Sequence, residues 1–256
     1  MDLSDVDFSY VAGIKTACLS RTQLVSLFVE HIIAFRSGKH TQPLTVFDTN
    51  GHGISLAHQD GQFYNALKHA DVIHADGQSV VSFSRWFGNK VIPERSATTD
   101  TIHDIPVQYN GEVSHFLLGG TQAVVEGCAA ILANTYPNFK IAGTQHGYFS
   151  VDEEQAVIEQ INRSQADVLW VGLGKPKEQL FVIRNKHKFK IPVVITCGGC
   201  YNYITGDYAR APKLMQNMGF EWLHRALTEP RKFLWRYLTT NPHAIYCVIK
   251  HRNVRY

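Results

Sequence analysis

A chain of 256 residues with 45% hydrophobic and 11% aromatic content is long enough for one large α/β domain or two small ones. It contains no run near the roughly 20 apolar residues of a membrane span, and its start, MDLSDVDFSY, lacks the basic-then-apolar secretory pattern, so a cytoplasmic protein is expected. The net charge of +3 hides an asymmetry: from Arg210 onward nine Lys/Arg accompany two acidic residues (+7), while the other 209 residues carry 16 basic and 20 acidic ones (−4).

In chain order, Ser20 opens the first clear helix, with Gln23 completing a capping box. Leu24, Leu27, Phe28, Ile32 and Phe35 recur at helical spacing, and Gly38 is placed to end it. Leu44–Asp48 reads as a strand running out into Thr49-Asn50-Gly51, followed by a helix over about His52–His69. Asp71–His74 is a short strand ending at Ala75-Asp76-Gly77, and the next helix carries Val80, Val81, Phe83, Trp86 and Phe87. After a loop containing Pro93-Glu94-Arg95, the strand His115–Leu118 enters Gly119-Gly120, and the helix Gln122–Tyr136 follows. A strand at Phe139–Ala142, a polar turn at Gly143–Tyr148 and a helix at Asp152–Arg163 lead to ADVLWVGLGKPKEQ, residues 166–179. A helix to about Lys188 and the strand Pro192–Thr196, ending at Cys197-Gly198-Gly199, complete the series. Strands alternating with helices predict βαβ units, hence an α/β, Rossmann-like and mostly parallel sheet with helices on both faces.

ADVLWVGLGKPKEQ is the stretch around which the rest is organised. A buried strand ends in Gly172 and Gly174, and Pro176 is suited to the first position of a new helix. Such a turn lets a backbone approach an anion and presents helix N–H groups, to which Lys175 and Lys177 add charge. It is not a Walker loop, because Pro176 follows Lys175 where Ser or Thr would hold magnesium, and it lacks the third glycine of a dinucleotide fingerprint. Taken alone, the loop fits a phosphate site and a packing turn equally well. The set is more informative: Thr49-Asn50, Asp76-Gly77, Gly119-Gly120, Gly172 and Gly198-Gly199 all follow strands, and carboxyl ends of parallel strands share one crevice.

Asp76 is the strongest candidate for a catalytic group, as a carboxylate base; a cap for the helix after Gly77 is the competing role. Arg95 fits either an anion anchor or an ion pair with Glu94 or Asp100. Of thirteen histidines, none forms a metal-ligand spacing, and only His146 falls near the crevice. No Asp-x-Asp follows a strand, so neither metal nor cofactor is expected. Five scattered cysteines exclude a disulfide framework, and Cys197-Gly-Gly-Cys200 fits buried small residues better than a redox pair. The tail's alternation of Arg with Trp and Tyr favours an interface with anionic lipid over a solvated helix face, with no nucleic-acid partner.

Thr49-Asn50, Asp76-Gly77, Glu94-Arg95, FLLGG at 116–120, HGYF at 146–149, ADVLWVGLGKPKEQ, Gly198-Gly199, TGDYARAP at 205–212 and EWLHRALTEPRKFLWRYL at 221–238 together resemble one family, the TagA/WecG/CpsF bacterial glycosyltransferases. The resemblance implies an inverting, metal-independent transfer from a UDP-sugar to a polyprenyl-diphosphate-linked sugar at the cytoplasmic membrane face. It implies a base at Asp76 with Thr49 and Arg95 beside the substrate. The donor nucleotide would lie against Asn50, Gly77, Gly119, Gly120, Gly172, Gly174, Lys175, Lys177, Glu178, Gly198 and Gly199. Arg210, Arg225 and Arg231, at the family's tail Arg positions, would bind the acceptor diphosphate. An α/β catalytic domain over 1–205 and a basic membrane-associating appendage over 206–256 follow, with homo-oligomerisation left open. Three segments depart from the family pattern: ERSATTD at 94–100, Glu178-Gln179 where the order is usually reversed, and GGCYNY at 198–203. A non-catalytic nucleotide-sugar-binding protein is the competing class; an oxidoreductase would need the full glycine fingerprint.

Overall fold

The computed structural model describes residues 1–252 and 254, with all their side chains except those of Lys213, Asn217 and Lys232. Asn253, Arg255 and Tyr256, the end of the basic segment, lie outside the described residues.

Strands β1 (Phe8–Val11) and β2 (Ile14–Ala17) form an antiparallel hairpin. Strands β3 (Leu44–Thr49), β4 (Val72–Ala75), β5 (Val113–Gly119), β6 (Phe139–Gln145), β7 (Val168–Gly172) and β8 (Val193–Thr196) form one sheet in the order β4-β3-β8-β7-β5-β6, every pairing parallel. The helices are α1 (Arg21–Arg36), α2 (Gly51–Ala57), α3 (Gly61–Lys68), α4 (Gln78–Phe87), α5 (Thr98–Gln108) and α6 (Gln122–Thr135). They continue with α7 (Glu154–Arg163), α8 (Lys177–Asn185), α9 (Cys200–Ile204), α10 (Lys213–Asn217), α11 (Glu221–Thr228) and α12 (Pro230–Lys250).

Period-2 alternation divides the apolar side chains of the sheet between two cores. Phe47, Ile73, Phe116, Leu118, Leu169, Val171 and Val194 face α2, α3, α4, α7, α8 and the last turns of α12. Leu44, Val46, Val72, Leu117, Val168, Trp170, Val193 and Ile195 face α1, α5, α6 and α9. Helices therefore cover both faces, as the alternation of elements predicts. All six strands run the same way, so their carboxyl ends share one edge, and α12 packs along α2 and against α4 beside that edge.

Several local expectations need correction. The helix over His52–His69 is two helices, because the Asp60 carboxylate accepts the N–H groups of Gln62 (2.9 Å) and Phe63 (3.1 Å) and starts α3 afresh. The expected turn at Gly143–Tyr148 is strand as far as Gln145, since β6 continues to pair with β5 beyond a register shift at His115/Phe116. Pro176 caps α8 rather than opening it. Two elements carry no clear sequence signal: the N-terminal hairpin, and α5, whose first turn is Thr98-Thr99-Asp100-Thr101 and whose end holds Pro106. The capping box at Ser20 and Gln23 is present, with reciprocal bonds of 2.9 and 3.2 Å.

Two glycines at the carboxyl edge differ in what they require. Gly119 has φ +140°, and an added Cβ would lie 2.3 Å from the Gly172 carbonyl oxygen; Gly174 has φ +77° but open space around it. Gly119→Ala should cost over about 3 kcal/mol, and Gly174→Ala about 1–2 kcal/mol. Urea unfolding of the two variants measures this, and equal losses would mean that the β5–β7 contact is not tight.

Candidate active site

The carboxyl ends of β3, β4 and β8 open into a cavity of about 690 Å³, roofed by α4, α11 and α12. A smaller cavity of about 260 Å³ lies beside it over β5 and β7. Gly174, Gly198 and Gly199 line both and form the wall between them. The single crevice expected from the strand ends is thus two adjoining compartments.

Asp76 stands in the larger one, held from three sides. Its backbone N–H donates to the Thr49 carbonyl at 2.9 Å, and the Gly77 N–H donates to the same oxygen at 3.3 Å. One carboxylate oxygen accepts from Asn50 Nδ2 at 3.1 Å and the other from the Thr98 backbone N–H at 3.1 Å. Asn50 also caps α2 through the Gly53 N–H, and a Cβ on Gly77 would come within 3.0 Å of the Asn50 Cβ. Asp76 therefore does not cap α4, whose start receives no side-chain bond; it meets the first turn of α5 instead. The ERSATTD departure lies here: Thr98 supplies backbone to Asp76, and Thr98 and Thr99 line the cavity.

The surrounding charges are matched in pairs. Burial alone would raise the Asp76 pKa, but Arg95, Lys175, the Asn50 bond and His74 outweigh it and bring it down to about 2. The Lys175 ammonium bonds Asp48; burial opposes its charge, but Asp48, Glu178 and Asp76 hold its pKa above the ordinary value. Arg95 donates through Nε to the Asp76 carbonyl at 2.8 Å and through Nη2 to Glu221 at 2.6 Å. The other oxygen of Glu221 accepts from Arg225 at 2.7 Å. The Arg95 partner is therefore neither Glu94, which accepts from the Arg21 N–H, nor Asp100, which pairs with Arg210 at 3.0 Å.

The glycine turns differ from the expected anion cradle. Glu178 is fully buried, and one of its oxygens accepts both the Gly174 N–H (2.9 Å) and the Gly198 N–H (3.0 Å). An internal carboxylate thus occupies the donors that the sequence reading assigned to a phosphate. Burial, opposed by Lys175, pushes the Glu178 pKa up to about 7.

The remaining predicted residues are distributed as follows. Asn50, Gly77, Lys175 and Arg225 line the larger cavity with Asp76 and Arg95, whereas Gly120, Gly172 and Lys177 line the smaller. Thr49 is buried beneath them, its hydroxyl oxygen without a partner among the described residues, and Gly119 lines neither cavity. Arg210 and Arg231 do not line the cavities: Arg210 is engaged by Asp100 and by Gln216 at 3.0 Å, and Arg231 is exposed. His146 accepts the Tyr148 N–H at 3.2 Å and also lies outside. Cys197 and Cys200 are buried, and burial raises both thiols well above the usual range, in keeping with packing rather than redox work. Sequence reading assigned no cavity role to Asp48, His52, Glu221 or Arg236, all of which line the larger cavity. Asp48 had a signal, a carboxylate inside the apolar run LTVFDT; Glu221 and Arg236 lie in the 221–238 motif, where Arg236 reads as part of a basic and aromatic interface, and His52 stands in an ordinary helical context.

The chain matches the model of the glycosyl transferase WecG/TagA/CpsF family over residues 9–256 and belongs to that family. It is 30% identical over 193 residues to the N-acetylglucosaminyldiphosphoundecaprenol N-acetyl-beta-D-mannosaminyltransferase of Bacillus subtilis (strain 168), covering 75% of this chain and 73% of that protein.

Glu221→Ala would leave two partly shielded guanidinium groups facing each other. It should destabilise the protein by about 2–4 kcal/mol, below the about 3–5 kcal/mol of a fully buried pair because Arg225 is partly solvated. Glu221→Gln, which keeps one acceptor, should lose less. Urea unfolding of both decides it, and an unchanged midpoint for the alanine variant would show the bridge to be energetically idle.

Proposed function

We propose that this glycosyltransferase moves a sugar from a UDP-sugar to a polyprenyl-diphosphate-linked saccharide, in one in-line displacement that inverts the anomeric centre. The observation that carries the reading is the Asp76 carboxylate, fixed on both oxygens and set between Arg95 and Lys175 in a cavity large enough for a sugar nucleotide. Asp76 takes the proton from the acceptor hydroxyl as that oxygen bonds to the anomeric carbon. The bond from that carbon to UDP breaks on the opposite face, and its electron pair leaves on the diphosphate. Lys175 and Arg95, though each already paired with a carboxylate, add the field of their charge to the stabilisation of the developing anion without a direct bond to it.

A carboxylate with a pKa of about 2 is ionised at neutral pH but is a weak base. A bound diphosphate corrects this, because its charge offsets the same Arg95 and Lys175 field that depresses Asp76. The base thus gains strength only when substrate is in place. The name of the Bacillus subtilis relative describes transfer of N-acetylmannosamine to a GlcNAc-diphosphoundecaprenol, which puts that pair first for testing.

Membrane contact belongs to the same proposal. No helix among the described residues is long and apolar enough to cross a membrane. Leu214, Leu227, Trp235 and Leu238 on α10–α12 are each more than 60% exposed, and α12 also carries the exposed Arg231. Apolar and indole side chains beside a guanidinium suit the headgroup level of an anionic leaflet, where a polyprenyl acceptor would be met at the cytoplasmic face.

The test is UDP release in detergent from a panel of UDP-sugars, with and without a lipid-diphosphate-linked GlcNAc or glucose acceptor and with EDTA. Acceptor-dependent release from one donor, insensitive to EDTA, is expected; release that needs a divalent ion, or no UDP binding, overturns the reading. Asp76→Asn should lower kcat by about 10²–10⁴-fold. The folded pKa of about 2 lies below the ordinary 3.8, so Asp76 contributes stability above about pH 4 that is lost as pH falls towards 2. Thermal unfolding across that window should show this loss in the parent and a smaller one in Asp76→Asn.

A further inference from the structure

Four carboxylates and four Lys or Arg side chains line the larger cavity, and three of those cations are already engaged. Lys175 pairs with Asp48, and Arg95 and Arg225 share Glu221. Arg236 is the exception, for among the described residues no carboxylate lies within ion-pair distance of it. Its guanidinium lies over the rings of Phe233 (4.5 Å) and Tyr237 (5.1 Å). Nη2 makes one long bond, 3.4 Å, to the Tyr237 hydroxyl, and the buried Nε has no partner.

Two aromatic rings thus flank the guanidinium while its donors stay largely unused. A partly buried Arg with unused donors favours a multidentate oxyanion, and phosphate oxygens match its fork. Across the seam on α2, His52 lines the same cavity. Burial first, then Arg236 and Lys175, hold its pKa down to about 4, so at neutral pH the imidazole is uncharged.

We propose that Arg236 anchors a diphosphate group in the larger cavity, with His52 as its neighbour on the facing helix. This rests on the transferase reading above, which requires two diphosphate-bearing substrates. It moves the anion contact away from Arg210, Arg225 and Arg231: the first is held by Asp100, the second by Glu221, and the third lies outside the cavity. The smaller cavity has a counterpart, because Lys177 donates only to the Gly147 carbonyl at 3.3 Å and pairs with no carboxylate among the described residues. One cation with no carboxylate partner among the described residues thus stands on each side of the Gly174–Gly198–Gly199 wall.

Inorganic pyrophosphate is the first probe, titrated into the full-length protein while the His52 ring is followed by NMR. In the parent, pyrophosphate should move the His52 titration upward, because an anion screens the Arg236 charge. In Arg236→Gln, His52 should already titrate higher without ligand, and pyrophosphate should bind at least about tenfold more weakly. Arg236→Lys, which keeps the charge but not the fork, should fall between. Equal binding by all three proteins, or a His52 titration that pyrophosphate does not move, overturns the assignment.

Steady-state kinetics then identifies the source of the diphosphate. An Arg236→Gln variant with a raised KM for the lipid-linked acceptor alone assigns the anchor to the acceptor, and a raised KM for the UDP-sugar alone assigns it to the donor. Unchanged KM for both substrates sinks the proposal. Pyrophosphate binding that depends on Arg236 in a parent protein without transferase activity would remove the functional reading and leave the anion site standing.

Discussion

Glu221 joins two arginines from distant parts of the chain, and the site depends on that bridge. Its carboxylate accepts from Arg95, in the loop before α5, and from Arg225, one turn further along α11. Arg95 reaches on to the carbonyl of Asp76, so a carboxylate 145 residues downstream helps to fix the position of Asp76. A buried ion bridge is a poor source of net stability, because desolvation offsets much of the attraction. Its value here is geometric: it holds two guanidinium groups beside the cavity and ties α11 to the loop that carries Arg95 at the edge of the sheet.

The same economy of charge runs through the rest of the cavity. Lys175 is kept protonated by Asp48, Glu178 and Asp76, and it in turn helps to keep Asp76 ionised. Glu178 spends its carboxylate on the N–H groups of Gly174 and Gly198, where an open glycine turn would offer them to a ligand. The donors this cavity leaves open are therefore side chains rather than these two backbone N–H groups. Such a site is sensitive to its occupant, since each phosphate that binds a cation also changes the proton affinity of the neighbouring carboxylates.

Much of the fold was legible in the sequence. Buried strands rich in Val, Ile and Leu, separated by helical repeats, specify a parallel sheet covered on both faces, and alternation within each strand divides the two cores as observed. Where local signals were weak or carried more than one message, the reading failed. Asp60 looks like any polar residue in a helix until its carboxylate is seen to cap α3, and α5 opens on three threonines that give no apolar stripe. The β1–β2 hairpin is too short for alternation to declare itself.

The candidate site divides along the same line. By itself, the sequence determined which residues stand at the carboxyl ends of the strands, because strand periodicity and the glycine-bearing turns that follow are local properties; Asn50, Asp76, Gly77, Lys175 and Gly198 are found there. It also determined that the tail is basic and aromatic. Only the tertiary structure decided which charges meet. That Asp76 receives the Thr98 N–H instead of capping α4, that Arg95 pairs with Glu221 instead of a near neighbour, and that Arg236 meets no carboxylate among the described residues all depend on helices packed from distant parts of the chain. Ion pairing depends on distance in space and on desolvation, and neither is encoded in the spacing of residues along one strand or helix.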